Sequence, residues 1–350
     1  MVVTIYQTVQ LMAIIFKLAK LGNKLLDYPT LGSLIKCVRE KLHNNLVITM
    51  KYNSHTLSIL LIIAFFLTAN PVYAAKFLTD QMGRKIAIPD NPRRVVSLAP
   101  SITEIIFALE QEDRLAGVTR FSDYPEVAKK LPKVGSYVHL DLEKIVSLRP
   151  DLCVGIKDGN PKYVVNRLES LNIPVYAVNP INLKTVMKTI TEIGVFLNAD
   201  EKAHSVVQDM KSRIQKVKHK IAKATGRPRV FFQIGIAPIV SVGTHTFAHE
   251  LIELAGGINL SKGPTPYPRF SKEKVLSLSP EVFIITSMSR NAIFEQVKKE
   301  WSKWPSLPAV RDQRIHLEDS NLFDRPTPRL VDGLENLARR IHPELFGFEL

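Results

Sequence analysis

The sequence contains few cysteines and none of the common catalytic motifs. Its 350 residues include two cysteines, Cys37 and Cys153, with no CxxC pair, so neither a disulfide framework nor a dithiol redox centre is indicated. GxSxG, HExxH, GxGxxG and P-loop sequences do not occur, which removes the usual signatures of hydrolases, zinc peptidases and nucleotide-binding enzymes. Cys153 lies in DLCVGI, a context typical of a small buried strand residue. The chain therefore has to rely on an apolar core.

The composition indicates a globular protein large enough for two domains. Hydrophobic residues make up 45% of the chain and aromatic residues 8%, and 350 residues suffice for two separate cores. The formal charge is +14, but Lys and Arg are spread over solvent-facing helix positions and no nucleic-acid-binding motif is present. We therefore expect solvated basic faces and no nucleic-acid partner.

The N-terminal region lacks an apolar run long enough to span a bilayer, which takes about 20 residues. From Met50 a Lys precedes an apolar core at 57–67, and Pro71 and the small residues Val72 and Ala74 follow it. This order predicts a secretory signal peptide at 50–74. Residues 1–49 are then a non-native or dispensable extension. Since no Cys stands at the cleavage position, we do not expect a lipid anchor.

The stretch 200–224 has the pattern of one long helix. Its apolar residues recur in alternating steps of four and three, which places them on one stripe. They are Ala203, Val207, Met210, Ile214, Val217, Ile221 and Ala224. Asp200 is predicted to cap this helix, and Gly226 with Pro228 to end it. At about 1.5 Å per residue it would extend roughly 37 Å, which favours a rigid connection between two lobes over a short coiled-coil seam.

On both sides of this helix, strands alternate with helices. Strands are predicted at 94–98, 115–119, 151–156, 174–178, 229–234 and 281–286, and helices from Pro100 and at 141–148, 161–171, 246–255, 271–278 and 327–341. Ser101 and Glu104 have the spacing of a capping box. Such alternation predicts an α/β fold with mainly parallel sheets. We assign an N-terminal lobe to 76–181, linking helices to 182–227 and a C-terminal lobe to 228–345.

An internal repeat indicates that the two lobes are related. DLEKIVSLRPDLCVG at 141–155 aligns without gaps with SKEKVLSLSPEVFII at 271–285. The same offset relates Tyr137 to Tyr267 and Glu143 to Glu273. Each lobe thus carries an aromatic residue in a loop and a carboxylate on the helix that follows it.

Loops after the predicted strands supply candidate ligand-binding residues. Ligand sites favour domain interfaces and the ends of parallel strands, and they combine aromatic walls with a few polar groups. The candidates are Phe121, Asp123, Tyr124, Tyr137, Tyr267, Arg269, Phe323 and Arg325. For each of them, anchoring of its own loop is the alternative interpretation.

A second, remote hypothesis is a metal-dependent enzyme. His245 and His249 are four residues apart with Glu250 beside them, a spacing that can place two imidazoles on one helical face. Thr246 is predicted to cap this helix and to leave His245 outside it. The pattern therefore favours no metal site.

Several segments resemble one known family. They are RVVSLAPSITEIIFAL, FSDYPEVAKKLPKVGSY and DLEKIVSLRPDLCVG in the first half, and VFFQIGIAPIVSVG, ELIELAGGINL, YPRFSKEKVLSLSPEVFIIT and LFDRPTPRL in the second. Together they are similar to the substrate-binding proteins of vitamin B12 and ferric-siderophore ABC importers, over nearly the whole chain after 74. The resemblance implies two Rossmann-like lobes joined by a rigid helix, the class III architecture of periplasmic binding proteins. It further implies a soluble periplasmic monomer that is not an enzyme.

The resemblance also implies a ligand and partners. Cobalamin would be held between the lobes as transported ligand, with no cofactor, and delivered to an inner-membrane ABC permease. The alternative ligands are haem and a ferric siderophore, with tyrosines as iron ligands and Arg269 and Arg325 pairing with acidic groups.

Residue roles follow from the same resemblance. Aromatic positions that line the corrin are matched by Phe121, Tyr137 and Tyr267. Cleft positions are matched by Gln233, Phe323 and Arg325, and the carboxylates that dock on permease arginines by Glu143 and Glu273. Two departures stand out: the family favours Trp at the two tyrosine positions, and Asn321 stands near a position that is acidic in the family.

The signal peptide can be tested by its processing. Because Val72 and Ala74 are the well-spaced small pair after the apolar core, we expect the exported protein to begin at Ala75. Intact mass spectrometry of the exported protein measures this directly. Retention of Met50 would contradict the prediction.

Overall fold

The structure, a computed structural model, describes residues 75–286 and 293–347. The predicted signal peptide at 50–74 and the segment 1–49 lie outside these ranges. No helix within the described ranges is long and apolar enough to cross a membrane. The described residues contain two separate main sheets and a small hairpin.

The first sheet is parallel and belongs to the N-terminal lobe. A hairpin of β1 (Ala75–Thr79) and β2 (Lys85–Pro89) precedes it. Its strands are β3 (Val95–Ser97), β4 (Leu115–Gly117), β5 (Leu152–Ile156) and β6 (Val175–Val178), in the order β4-β3-β5-β6. Helices α1 (Pro100–Ala108), α2 (Leu142–Ser147) and α3 (Lys162–Ser170) connect them, with 3₁₀ turns at Glu112–Arg114 and Glu126–Lys130. Sequence analysis predicted no strand before 94, whereas β2 buries the alternating Ile86 and Ile88.

Two consecutive helices, α4 (Leu183–Leu197) and α5 (Asp200–Ile221), link the lobes. Asn198 separates them in the left-handed conformation, at φ 55°, which Asn tolerates better than most residues. Asn182 caps α4 by accepting a hydrogen bond from the Thr185 amide. Sequence analysis predicted helical segments here but did not locate this break.

The apolar stripe of α5 is confirmed, but the predicted ends were wrong. Its buried residues are Ala203, Val207, Met210, Ile214 and Val217. The N-cap is Ala199 rather than Asp200, which is the first helical residue, and the helix ends at Ile221, before the predicted stop signals. Its 22 residues therefore extend about 33 Å.

The second sheet is mixed and belongs to the C-terminal lobe. Its strands are β7 (Arg229–Gly235), β8 (Ile239–Ser241), β9 (Ile258–Asn259), β10 (Arg269–Phe270), β11 (Val282–Ile285) and β12 (Ile315–Leu317). Strands β9, β7, β11 and β12 run parallel, while β8 pairs antiparallel with both β7 and β10. The helices are α6 (Phe247–Leu254), α7 (Lys272–Leu278), α8 (Ile293–Ser302), α9 (Pro308–Arg311) and α10 (Leu330–Ile341), with 3₁₀ turns at Ser320–Leu322 and Pro343–Leu345.

The internal repeat corresponds to equivalent parts of the two sheets. The parallel order β3-β5-β6 in one lobe matches β7-β11-β12 in the other. Asp141 caps α2 by accepting from the Lys144 amide, and Ser271 caps α7 by accepting from the Lys274 amide, at 2.9 and 3.2 Å. Each capped helix leads into the middle strand of these three, β5 in one lobe and β11 in the other.

The start of α1 differs from the predicted capping box. Pro100 is the first helical residue and Ala99 the N-cap, and no side chain caps this end. Glu104 instead pairs with Arg325 and Arg329 of the other lobe, because a buried carboxylate is stabilised more by arginines than by a helix amide.

Arg325 joins the two lobes through buried charges. Its Nη1 donates to Glu104 Oε1 and to Asp123 Oδ1, both at 2.8 Å, and its Nη2 donates to the Phe121 carbonyl oxygen at 3.1 Å. The Glu104 side chain is 2% exposed and that of Arg325 14%. Arg329 adds a longer contact to Glu104, at 3.4 Å. Burial raises the pKa of Glu104, and these arginines oppose the shift.

Breaking this ion pair should be costly. We expect Arg325→Met to lower the free energy of unfolding by about 3–5 kcal/mol, because it leaves Glu104 buried without its main partner. The loss should be largest above the raised pKa of Glu104 and should shrink below about pH 4, where the carboxyl is protonated in both states. Denaturant titrations at several pH values measure both effects.

Two further variants test the assignment. Arg311→Met removes an exposed pair with Asp312 and should leave the free energy of unfolding nearly unchanged, because water screens such a pair. Adding Glu104→Met to Arg325→Met should recover much of the lost stability, since the unpaired buried charge is then gone. Equal costs for Arg325→Met and Arg311→Met would contradict a buried link.

Candidate functional site

A cavity of about 850 Å³ lies between the two lobes. The N-terminal lobe contributes residues that follow the carboxyl ends of β3, β4, β5 and β6, the edge at which parallel sheets usually bind ligands. The C-terminal lobe contributes the start of α6, the loop before β10 and the segment after β12. The lining residues are Ala99, Pro100, Ser101, Arg120, Phe121, Asp123, Ser136, Tyr137, Val138, Ile156, Asp158, Pro180, Phe247, Tyr267, Ser320, Asn321, Asp324, Arg325 and Pro326.

Aromatic rings form part of the cavity wall. Phe121 and Tyr137 come from the N-terminal lobe, and Phe247 and Tyr267 from the C-terminal lobe. Phe121 is 45% exposed and Tyr267 59%, although large aromatic side chains are usually well buried. Rings left accessible in a concave wall offer apolar contact area to a ligand.

Buried hydroxyl groups fix the loop that carries Phe121. Ser122 Oγ lies 2.9 Å from Thr103 Oγ1 on α1 and 3.0 Å from Thr119 Oγ1. Thr103 Oγ1 in turn donates to Ser97 Oγ at the end of β3. All four side chains are buried, so the loop is held against two elements of its own lobe.

Tyr137 is held by the loop after β5. Asn160 Nδ2 donates to the carbonyl oxygens of Leu98 and Tyr137, both at 2.8 Å, and Asn160 Oδ1 accepts from the Ile156 amide at 2.7 Å. The ring of Tyr137 packs directly on Gly159, where a Cβ would lie 2.4 Å from Cδ2 of the ring. Gly159 also has φ 131°, a conformation that side-chain-bearing residues rarely adopt.

The wall beside Tyr267 is acidic. Asp324 is accessible to solvent through the cavity but is surrounded by protein, and this burial raises the pKa of its carboxyl to about 6, against the opposing charge of Arg325. Although the Tyr267 side chain is accessible from the cavity, the protein around it displaces water from the phenol. This desolvation, and then the carboxylates of Asp324 and Asp158, raise the pKa of the phenol. Tyr267 is therefore a neutral O–H group at physiological pH.

Six of the predicted ligand-binding residues line the cavity together. They are Phe121, Asp123, Tyr137, Tyr267, Asn321 and Arg325. Within the described ranges, the other four are not among the lining residues. Tyr124 stacks under the Arg329 guanidinium, with Cζ 3.8 Å from the ring centroid, and Arg269 is exposed on β10.

Gln233 and Phe323 lie in the core of the C-terminal lobe instead of the predicted cleft. Gln233 is 1% exposed, accepts a hydrogen bond from Trp301 Nε1 at 2.9 Å and donates to the Gly235 carbonyl oxygen. Phe323 is 2% exposed and meets Phe232 edge to face. Both side chains are engaged in packing on the sheet, because the strand and turn that carry them face inward at these positions.

Sequence analysis missed other residues of the wall, chiefly Arg120, Ser136, Asp158, Phe247 and Asp324. Asp158 follows a predicted strand, so the rule that parallel strands bind ligands at their carboxyl ends points to it. Asp324 is the neighbour of a predicted residue. Phe247 lies in the first turn of α6, and no local pattern separates it from a core residue.

The remaining candidates lie outside the cavity wall. Glu143 and Glu273 are exposed at equivalent second positions of α2 and α7. Thr246 caps α6 as predicted and leaves His245 exposed before the helix. Glu250 accepts a hydrogen bond from the Leu183 amide at the start of α4, and His249 Nδ1 lies 3.0 Å from Asn259 Nδ2. His249 and Glu250 thus connect elements of the fold.

The chain is similar to proteins that are named for binding vitamin B12 or heme. A vitamin B12-binding protein of Vibrio parahaemolyticus is 31% identical over 243 residues, which are 69% of this chain and 86% of that protein. The crystal structure of the periplasmic vitamin B12 binding protein BtuF of Vibrio cholerae matches with a TM-score of 0.65 and 28% identity, over 73% of this chain and 98% of that one. A periplasmic heme binding protein from Pseudomonas aeruginosa matches with a TM-score of 0.66 and 28% identity, over 72% and 93% of the two chains.

These similarities confirm the fold class inferred from the sequence, two α/β lobes of the class III type joined by a long helix. The sequence model of one family, described as periplasmic binding protein, matches residues 95–322. The match includes both sheets and nearly all of the cavity wall. The chain therefore belongs to the periplasmic binding protein family.

Proposed function

We propose that this protein binds cobalamin in the cavity between its lobes and delivers it to an ABC permease. One observation carries the proposal: accessible aromatic rings from both lobes line one cavity of about 850 Å³. That volume is in the upper part of the range of about 300–1,000 Å³ seen for small-molecule sites, as a broad ligand requires. Two of the similar proteins described above are named for vitamin B12 binding.

The proposal extends to compartment and organisation. After removal of the predicted signal peptide, the protein would act in the periplasm as a soluble monomer and not as an enzyme. Its lobes would comprise 76–181 and 228–345, with 182–227 as the link. The two separate sheets and the consecutive helices α4 and α5 support this division.

Haem is the second candidate ligand, because one similar structure is a haem-binding protein and Tyr137 and Tyr267 line the cavity. A tyrosine binds ferric haem iron as phenolate. The raised pKa of Tyr267 opposes that form, since the loss of water around the phenol, and then the nearby Asp324 and Asp158, make the phenolate unfavourable. This electrostatic cost favours cobalamin over haem at this residue.

The tyrosines can be tested by truncation. We expect Tyr137→Ala and Tyr267→Ala each to weaken cyanocobalamin binding by about 1–3 kcal/mol, or roughly 5- to 150-fold in Kd, because each removes a ring from the wall. Isothermal titration calorimetry measures the change. Tyr163→Ala is the matched control: Tyr163 is 73% exposed on α3, outside the cavity. Unchanged affinity in both cavity variants would contradict the binding site.

Glu143 and Glu273 would dock on arginines of the permease. One exposed carboxylate per lobe, at equivalent positions of capped helices, suits a partner that contacts both lobes. Their alternative role is local, since a carboxylate near a helix N-terminus is stabilising. For Glu273, hydrogen bonds from its own amide and from Ser271 lower the pKa, which is consistent with that local role.

A charge reversal separates docking from the local role. We expect the Glu143→Arg, Glu273→Arg double variant to bind cyanocobalamin normally but to lose uptake through the cognate transporter, because like charges would meet at the interface. Labelled cobalamin uptake and calorimetry on the same variant are the measurements.

The matched control is Glu112→Arg, Glu201→Arg. Both glutamates are exposed in the first turn of a helix, and Glu201 is also at the second position of its helix, α5. This control carries the same change of charge and should keep uptake. Normal uptake in the Glu143→Arg, Glu273→Arg protein would rule out docking, and lost ligand binding would mean that these residues act on the cavity.

A further inference from the structure

The charged groups of the cavity wall differ in whether they have partners. Arg325 is paired with Glu104 and Asp123. Arg120 stacks on Phe121, with Cζ 4.8 Å from the ring centroid. The two arginines of the wall, one from each lobe, are thus both held by groups of the N-terminal lobe.

Two carboxylates of the wall are different. Among the residues that the structure describes, Asp158 and Asp324 have no hydrogen-bond or ion-pair partner for their side chains. They come from opposite lobes, Asp158 from the loop after β5 and Asp324 from the segment after β12. Both line the same cavity as Tyr267. They therefore face one cavity from opposite lobes.

Unpartnered carboxylates in a concave wall favour one kind of ligand group. They accept hydrogen bonds, so they stabilise N–H donors. They also repel ligand carboxylates, which lose their hydration on entering the cavity. Cobalamin carries neutral carboxamides around its corrin ring, whereas haem carries two propionate carboxylates. Cobalamin and haem differ in the metal they hold. A wall of this kind can also discriminate between them through the charge of their peripheral groups.

We propose that Asp158 and Asp324 form a specificity-determining pair that accepts peripheral amide groups of the ligand and rejects carboxylates. This inference rests on the proposed function and adds a criterion to it. It assigns selection to the periphery of the ligand, while Phe121, Tyr137 and Tyr267 supply contact area that a carboxylate-bearing ring would share.

The test compares ligands that differ in one group. Cyanocobalamin is titrated beside its separate monocarboxylic acids, in each of which one peripheral amide has been hydrolysed. The titrations are done at about pH 8, above the pKa of Asp324, so that this carboxyl is ionised. We expect at least one monocarboxylic acid to bind the wild-type protein about tenfold or more weakly than cyanocobalamin.

Replacing both aspartates should remove that discrimination. In Asp158→Asn, Asp324→Asn the side chains keep their shape and one acceptor oxygen each, so they can still accept the peripheral amides, and the affinities of cyanocobalamin and of each acid are compared within this variant. The penalised acid should bind nearly as well as cyanocobalamin. Asp90→Asn, Asp113→Asn is the control for net charge, since both residues are exposed and outside the wall, and it should discriminate as the wild type does.

The outcomes distinguish the two proposals. If the wild-type protein does not bind cyanocobalamin, the proposed function is wrong. If it binds cyanocobalamin but binds every monocarboxylic acid equally well, or if the double Asn variant discriminates as strongly as wild type, the aspartate pair is not the determinant. Loss of discrimination in the control variant would assign the effect to overall charge and would also overturn the inference.

Discussion

The ion pair between Arg325 and Glu104 is the constraint on which the cavity depends. Arg325 leaves the segment after β12 and reaches α1 and the loop after β4 in the other lobe, where it meets Glu104, Asp123 and the Phe121 carbonyl oxygen. A buried charge without a partner is unfavourable by several kcal/mol, so the two lobes are held at a separation that satisfies both groups. The same contacts place Phe121 and Asp123 in the wall. Residues that join the two lobes therefore also line the cavity.

The other wall residues are positioned by contacts within their own lobe, and these contacts differ between the two lobes. The N-terminal lobe fixes its loops with hydrogen bonds, through the hydroxyl group of Ser122 and the amide of Asn160. Tyr137 is further positioned by Gly159, whose lack of a side chain lets the ring lie against the backbone. In contrast, Tyr267 is largely exposed and surrounded by acidic groups. The cavity thus combines a supported ring and an accessible ring on opposite lobes.

The duplicated architecture explains why the two faces of the protein differ. In each lobe a capped helix precedes the central strand and presents a carboxylate to solvent, while the loop before that helix faces the cavity. Residues of the cavity wall and exposed glutamates are therefore separated in space although they are close in sequence. A two-lobed protein can in this way present one residue from each lobe to a ligand and another to a partner.

Local pattern alone determined much of this fold. The apolar stripe of α5, the caps at Asp141, Thr246 and Ser271, and the alternation of strands and helices depend on neighbours within a few residues, so they can be read from the chain. The repeat at 141–155 and 271–285 further indicated two related lobes. The helix ends were not determined in this way, because Ala199 and not Asp200 is the N-cap of α5 and Asn198 breaks the link into two helices.

Only the tertiary structure decided the site. Glu104 has the spacing of a capping residue, yet it pairs with an arginine 221 positions away, because burial makes that charge pair more favourable than a helix cap. Gln233 and Phe323 follow the same sequence patterns as wall residues, but their strand and turn direct them into the core. Asp158 and Asp324 reach the wall of one cavity from opposite lobes, and long-range packing of this kind leaves no periodic pattern in the sequence.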